Sequence, residues 1–438
     1  MKFVTGTSTK TVTWQDLAGG GRNNPAAVHG AVHLLRDMGG VVFLTLRMAR
    51  GMLQCVCPPR IVPRGLREEW CVEVSGAVRA EARAPGGLEI AAESITVLSR
   101  PAALMPVSLG RRRLGLNLDT ELGLRPAVLR HARERAVFKI QEGLVRAFRD
   151  YLTGEGFTEV HTPKIVRAGA EGGSNIFRLD YFGKKAYLAQ SPQFYKQTMV
   201  GAFERVFEVG PVFRAEKHAT PRHLNEYTGL DLEMGYIRSF YDVMEAEAGY
   251  LRRAMELLAR EYDEELALLG VRLPRADQIP CLRFDEAKRL AAEKYGCPIR
   301  DPYDLEPEEE ARIGRYAREE YGSDFVFVTH YPSRKRPFYA MDDPDDPRYT
   351  LSFDLLLRGM EVTTGGQRIH DYAAQAAKME VRGMDPGDFD SYLMIHRCGM
   401  PPHGGLGIGL ERLTMQLCGL DNIRYCSLFP RDRGRLEP

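Results

Sequence analysis

Four groups of side chains stand at spacings that could do chemistry. Arg214 closes an apolar run, Val206 to Arg214, and a polar segment with Glu216, Lys217, His218, Arg222 and His223 leads to a second run, Glu226 to Tyr236. A guanidinium at a strand end can grip a phosphate or carboxylate through two parallel hydrogen bonds, and Arg222 and His223 add mobile positive charge beyond it. Arg412 stands in the first turn of a helix entered from the glycine-broken run Gly404 to Gly409. Cations are favoured at the other end of a helix, so this arginine is expected to face a bound anion. Gln193 and Lys196 lie three apart and share a helical face, an amide and an ammonium suited to a small carboxylate ligand. Glu361 and Thr364, also three apart, can share a hard cation through oxygen, and Gly365 and Gly366 let backbone approach a nucleotide. Taken singly, each cluster has a plainer alternative: a solvated hairpin turn, or a helix with Gln and Lys facing water.

The elements that must position these groups are legible from pattern. Val206 to Arg214 and Glu226 to Tyr236 predict a long antiparallel hairpin with a charged tip, and alternation puts Asp231 and Glu233 on one face of its second strand. Gly404 to Cys418 predicts a strand entering a helix with Glu411 and Arg412 in its first turn. Gly156 to Val166 predicts a strand that ends near Pro163. It is preceded by a helix, His131 to Leu152, whose Val137, Ile140, Leu144, Phe148 and Leu152 form one apolar face. That face suits a core or an interface equally. Ala170 to Ser174, with Glu171, reads as a flexible loop, Ala186 to Ala189 as a strand, and Gln190 to Gln197 as a proline-started helix. Further strands are expected at Asp324 to His330, Tyr349 to Glu361 and Val362 to Gln367, and helices over Tyr241 to Leu269 and Phe284 to Tyr295. Residues 277–323 are expected to be a helical insertion.

The first hundred residues differ in character. Short apolar runs at Ala27 to Leu35, Val41 to Leu46, Met52 to Cys57, Trp70 to Val78 and Leu88 to Leu98 alternate with Gly- and Pro-bearing breaks, which predicts a small β-barrel of the OB type. Alternation places Phe43 with Arg47 on one strand face, an aromatic beside a cation that suits an unstacked base, although Phe43 fits a barrel core as well. The expected division is a barrel domain over 1–103, a Pro- and Arg-rich hinge over 104–130 and a second domain over 131–438.

Composition sets bounds. The chain has 438 residues, 44% of them hydrophobic, enough for large cores in two or three domains. A net charge of +1 leaves any RNA binding to local patches rather than global attraction. Eight cysteines are scattered through apolar runs without CxxC or zinc spacing, and are expected to be buried reduced thiols. No signal peptide or bilayer-length apolar run is seen, so a cytoplasmic protein without membrane association is expected. No Ser-His-Asp or Cys-His arrangement suggests a covalent intermediate.

Pro163, Phe213-Arg214-x-Glu216 and Gly407-x-Gly409-x-Glu411-Arg412, in this order and spacing, resemble the three signature motifs of class II aminoacyl-tRNA synthetases. The octet Gln190-Ser191-Pro192-Gln193-Phe194-Tyr195-Lys196-Gln197 and Arg368 after Gly365-Gly366-Gln367 resemble the aspartyl branch, and the length its short archaeal and eukaryotic form. The resemblance implies an α+β chain, with an OB-fold anticodon-binding barrel before a catalytic domain built on an antiparallel sheet flanked by helices. It implies that L-aspartate is activated by ATP with Mg²⁺ and transferred to tRNA(Asp). By this resemblance Glu171 and Ser191 hold the substrate ammonium, Gln193 and Lys196 its carboxylates and Arg368 the side-chain carboxylate, with Arg214 and Thr364 also serving the amino acid; Asp231 and Glu233, on one strand face, add to the amino-acid or metal site. Glu216 recognises adenine; Arg214, Arg222, His223, Leu224, Gly409, Leu410, Glu411 and Arg412 hold ATP, and Glu361 and Thr364 hold Mg²⁺. Arg214, Glu361 and Arg412 are the implied catalytic groups. Phe43, Arg47, His29, His33 and Pro85 are the implied anticodon residues, the last three loosely matching members that also charge tRNA(Asn). A homodimer joined through the helix His131 to Leu152 and the strand after it, and a tRNA-dependent amidotransferase as partner, complete the implied set. The alternatives are an asparaginyl enzyme, which the octet and Arg368 argue against, and a tRNA-independent asparagine synthetase-like ligase, which would lack the barrel.

Overall fold

A computed structural model of the chain describes residues 16, 17, 19, 26–49, 51–167, 175–217 and 220–437. Two compact units result, Met1–His131 and Ala132–Pro438. In the first, β1 (Ala26–Asp37), β2 (Val42–Arg47), β3 (Met52–Cys57), β4 (Cys71–Ala80) and β5 (Leu88–Ser99) close into a barrel in the order β1-β2-β3-β5-β4. Strict alternation drives this closure. Val42, Leu44 and Leu46 point inward from β2 and pack with Val28, Val32, Leu53, Cys55, Val72, Val74 and Ile90. After the barrel, Leu118–Gly123 and Arg125–Val128 form two short helical turns, the first capped by the Asn117 side chain, within the stretch expected to be an aperiodic hinge.

The second unit opens with α1 (Ala132–Gly154), whose expected apolar face is fully buried. The strand expected at Gly156 to Val166 is broken in two. β6 (Thr158–Glu159) pairs in parallel with the large sheet, whereas β7 (Ile165–Val166) joins a small sheet with β8 (Arg178–Tyr181) and β9 (Lys184–Leu188). Pro163 falls at the switch, where the missing N–H and the restricted residue before it end one ladder and start another. The β8–β9 hairpin turns at Phe182 and Gly183, both at positive φ. Next come α2 (Gln193–Phe203), β10 (Arg205–Phe213) and β11 (Glu226–Gly235), the last two forming the expected hairpin in unbroken register from Arg205↔Met234 to Phe213↔Glu226.

The helical stretch after β11 bends at Tyr262 into α3 (Tyr241–Glu261) and α4 (Asp263–Leu269). The region expected to be an insertion contributes β12 (Cys281–Arg283), α5 (Phe284–Tyr295) and α6 (Pro307–Tyr321), which starts with a reciprocal Glu306/Glu309 capping box. β13 (Phe325–Thr329), β14 (Ser352–Leu357), β15 (Met360–Arg368), α7 (Tyr372–Val381), α8 (Asp390–Cys398), β16 (His403–Gly409) and α9 (Leu410–Cys418) complete the unit. Arg358 and Gly359, both at positive φ, turn the chain inside what was expected to be one strand, Tyr349 to Glu361. The large sheet runs β12-β13-β14-β15-β16-β11-β10-β6, antiparallel except at its two edge pairs. α1 and α3 cover one face, with Phe148 edge-on to both Phe207 and Tyr250.

Candidate active site

The middle strands of the large sheet, β10, β11, β15 and β16, floor a cavity of about 520 Å³. Arg214, Arg368, Arg412, Lys196 and Glu361, spread over two hundred residues of chain, all line it. Gln193, Ser191, Glu216, Arg222, His223, Leu224, Asp231, Thr364, Gly409 and Glu411 line it too. Leu410 does not; its side chain is buried in the hydrophobic core beneath. Glu171 and His218 lie outside the described residues.

One cluster is built on a buried carboxylate. Lys196, on α2, is 2% exposed, and its Nζ donates to Asp231 Oδ1 at 3.0 Å and to the Leu406 carbonyl at 2.8 Å, with Glu233 Oε2 at 3.4 Å. Arg368, at the end of β15, donates from Nε to Glu233 Oε1 at 2.9 Å and from a terminal nitrogen to the Gly405 carbonyl at 2.8 Å, above the Tyr339 ring. Burial alone would push the Glu233 carboxyl up; Arg368 and then Lys196 outweigh it and hold the group below its ordinary range. The glycines of β16 make this possible. A Cβ on Gly405 would fall 2.1 Å from Glu233 Oε2, so only glycine admits the carboxylate there. Gln193 Nε2 is buried with no partner among the described residues, a donor left for a ligand. Behind α2, Gln197 bridges His403 Nε2 at 2.9 Å and the Tyr392 hydroxyl at 3.2 Å.

The second cluster is arginine-rich. Arg214 follows β10 and lies over the Tyr227 ring, and Arg412 donates to the carbonyl of Glu361 at 3.0 Å and to its Oε1 at 3.3 Å. Arg222 pairs with Glu310 of α6. His223 was expected to carry charge, and here the structure corrects the reading. Burial, then Arg412, lowers its pKa, so the ring is neutral at neutral pH, with Nδ1 2.6 Å from the Thr220 hydroxyl. Glu411 also departs from a purely ligand-facing role. Both its oxygens accept from the Thr228 N–H, at 3.1 and 3.0 Å, tying the start of α9 to β11, while burial pushes its carboxyl up to about 7.

Between the clusters, the Thr364 hydroxyl donates to Glu361 Oε1 at 3.3 Å. Asp354, which the sequence reading passed over, is the register partner of Thr364 on β14 and pairs with Arg336 at 2.8 Å. Its Oδ1 has no hydrogen-bond partner among the described residues, and burial, with Glu361 repelling it, raises it to about 6 despite Arg336. The overlooked signal was a single acid inside Ser352–Leu357, a strand buried at every position. This all-oxygen set fits a hard cation shared with a phosphate chain. Among the described residues no group of three His, Cys, Asp or Glu side chains forms a closed metal site, so such a cation would keep most of its shell for phosphate and water. Lys335, Arg336, Tyr339 and Arg382 also line the cavity, and none was singled out from the sequence.

The barrel carries the remaining residues. Phe43 is half-buried on the outer face of β2, but Arg47 is not beside it in the open. Arg47 is buried and forms a bidentate pair with Glu69 at 2.6 and 2.8 Å, and Arg130 also reaches Glu69 at 2.8 Å. The cation across from Phe43 is the exposed Arg36, its register partner on β1; a bulge between Val32 and Leu34 shifts the pairing there. His29 pairs with Glu73 at 2.7 Å, His33 is half-buried with its pKa lowered by burial and then by Arg47, and Pro85 is exposed in the β4–β5 turn. The eight cysteines are free thiols; contrary to expectation Cys71, Cys281 and Cys398 are exposed. Among the described residues no helix is long and apolar enough to cross a membrane.

Comparison with known proteins agrees with this geometry. The profile of tRNA synthetases class II (D, K and N) matches residues 117–433, and that of the OB-fold nucleic acid binding domain residues 26–98. The aspartate–tRNA(Asp/Asn) ligase of Deinococcus radiodurans is 48% identical over 417 residues, covering 94% of this chain and 95% of the relative. The enzyme of the same name from Thermus thermophilus is 48% identical over 410 residues, covering 93% and 96%. The crystal structure of asparaginyl-tRNA synthetase from Pyrococcus horikoshii complexed with asparaginyl-adenylate superposes with a TM-score of 0.89 at 31% identity, covering 98% of this chain and all of that one. A cavity floored by antiparallel strands and lined by Arg214 and Arg412, an OB barrel ahead of it, and these matches over nearly the whole length place the chain in the class II tRNA synthetase family of the D, K and N type.

Proposed function

We propose that this protein is an aspartate–tRNA ligase that activates L-aspartate with ATP and esterifies it to the 3′ end of tRNA(Asp), with tRNA(Asn) as a second acceptor. The observation that carries this reading is the pairing of Lys196 and Arg368 on one fully buried carboxylate, Glu233, at the wall of the cavity that Arg214 and Arg412 also line. Two cations fixed there match a side-chain carboxylate. A neutral amide in its place would leave buried donors without a charged partner, at a cost of about 2–3 kcal/mol. The likeness of fold to an asparaginyl enzyme leaves this distinction to the side chains.

The chemistry follows from charge. The aspartate α-carboxylate attacks the α-phosphorus of ATP in line and pyrophosphate leaves, so the chain must bring two anions together and spread the charge that develops. Ser191, Gln193 and Asp231 orient the amino acid, Arg214 reaches both reactants, and Arg222 and Arg412 meet the phosphates. Glu216 is assigned to the adenine amino group, and Leu224 and Gly409 to the nucleotide walls. Mg²⁺ neutralises phosphate charge when bound, and Glu361 and Thr364, with Asp354 behind them, are the residues that would hold it. In the second step the terminal ribose hydroxyl of tRNA attacks the adenylate carbonyl and AMP leaves. Phe43 and Arg36 are assigned to the anticodon, His29, His33 and Pro85 to its third base. Cytoplasmic location, a homodimer and supply of aspartyl-tRNA(Asn) to an amidotransferase belong to the same proposal.

Aspartate-dependent exchange of pyrophosphate into ATP, compared with asparagine, tests it. Exchange with asparagine alone would refute the amino-acid assignment. Aspartylation of a tRNA(Asp) transcript with tRNA(Asn) left uncharged would refute the second acceptor.

A further inference from the structure

Helix α6 comes from the segment between β12 and β13, outside the strands that floor the cavity, yet one of its side chains reaches an arginine that lines it. Its packing is unusually close. A Cβ on Gly314 would fall 2.4 Å from the Gly359 nitrogen, and one on Gly359 would fall 2.7 Å from the Ala311 Cα, so helix backbone rests on the β14–β15 turn. Only glycine at both positions permits that approach, and the helix is thereby fixed to the hairpin that carries Glu361. The Lys288 ammonium anchors its first turn, donating to Glu309 at 2.6 and 2.7 Å and to the carbonyls of Asp301 and Asp304.

Glu310, next in line on this rigid support, is buried and pairs with the Arg222 side chain. The bond uses one terminal guanidinium nitrogen of Arg222; its Nε and other terminal nitrogen have no protein partner among the described residues, and the residue lines the cavity. Arg222 belongs to the long connection between β10 and β11, where nothing in the strand ladder fixes a side chain. A carboxylate behind a guanidinium sets the plane of its remaining donors, as a single long arginine on a loop would not set itself.

We infer that Glu310 is a positioning residue for the nucleotide: α6 presents it so that Arg222 is held by one nitrogen and offers the others to the triphosphate. The role rests on the ATP-dependent reading above. Its contribution is to order Arg222 before ATP arrives, which lowers the entropy lost on binding and leaves the amino-acid cluster untouched.

The experiment is pyrophosphate exchange by the full-length protein at varied ATP and varied aspartate. Glu310→Ala should raise the KM for ATP about tenfold, the worth of one oriented charged hydrogen bond, while the KM for aspartate and kcat at saturating ATP stay within about twofold. Glu310→Gln keeps an oxygen acceptor and should restore the KM for ATP to within about threefold of the parent. In an Arg222→Ala background, adding Glu310→Ala should change nothing further. An unchanged or lowered KM for ATP in Glu310→Ala overturns the inference, as does an equal loss with Arg222 already removed. A parent protein without aspartate-dependent exchange would instead overturn the functional reading, so the two failures are separable.

Discussion

Replacing Lys196 with methionine keeps most of the unbranched stem and removes the charged end. The ammonium sits among four oxygens, with Leu406 O at 2.8 Å, Asp231 Oδ1 at 3.0 Å, and Leu232 O and Glu233 Oε2 both at 3.4 Å. A ligand carboxylate at similar range would interact with it by about 4–5 kcal/mol at an effective dielectric constant near 20. Part of that is lost in dehydrating both groups, and net values for charged hydrogen bonds are about 1.5–3 kcal/mol. The substitution also tips the cluster toward negative charge, since Asp231 and Glu233 remain with Arg368 as the cation bound to Glu233. The lost hydrogen bond alone should therefore lower kcat/KM for aspartate in pyrophosphate exchange by about 10- to 150-fold, and the repulsion adds to that. Asparagine has no charge to lose a partner, and its residual rate should fall no more than about tenfold. The informative quantity is the ratio of the two, measured well below the melting temperature because stripping a buried ion pair also costs about 3–5 kcal/mol of stability. Equal losses for aspartate and asparagine would mean that Lys196 shapes the pocket without reading the substrate's charge. A loss for aspartate under about tenfold would refute the assignment altogether.

Two further outcomes follow from other parts of the molecule. Glu247, on α3 beneath the sheet, has no hydrogen-bond partner for either oxygen among the described residues, and burial raises its carboxyl from 4.5 to about 8. The folded protein thus holds a proton that the unfolded chain releases, so stability falls as pH rises between those values and levels off above them. At 1.36 kcal/mol per pH unit the whole window amounts to roughly 5 kcal/mol. Glu247→Gln should make the loss of stability between about pH 5 and about pH 8.5 in urea unfolding smaller by several kcal/mol, with a residual slope from Asp354 and Glu411; a variant that keeps the parent's full slope would refute the assignment. In the barrel, Phe43→Ala should raise the KM for tRNA about 10- to 100-fold, the worth of one stacked base, with pyrophosphate exchange unaltered. An unchanged KM would return Phe43 to a packing role.

Local pattern determined much of this protein. The hairpin of β10 and β11, the helix at Gln193, the entry of β16 into α9 and the five barrel strands all follow from alternation, helical spacing and turn residues within short windows, because those preferences are set by near neighbours. The residue types at the cavity were legible for the same reason: a charged group at a strand end or in a first helical turn is conspicuous in its own neighbourhood. Partner choice was not. Arg47 looked like an exposed companion of Phe43 until the fold brought Glu69 against it, and a single bulge in β1 put Arg36 in that place. Arg222 pairs with a residue 88 positions away, and Asp354 becomes part of the site only because β14 and β15 align it with Thr364. The pKa of His223 is lowered by burial and then by Arg412, which comes from a helix about 190 residues further along the chain. Each of these depends on which surfaces exclude water and which charges are pressed together once the sheet is assembled. Such energies belong to long-range packing and have no counterpart in the order of residues along the chain.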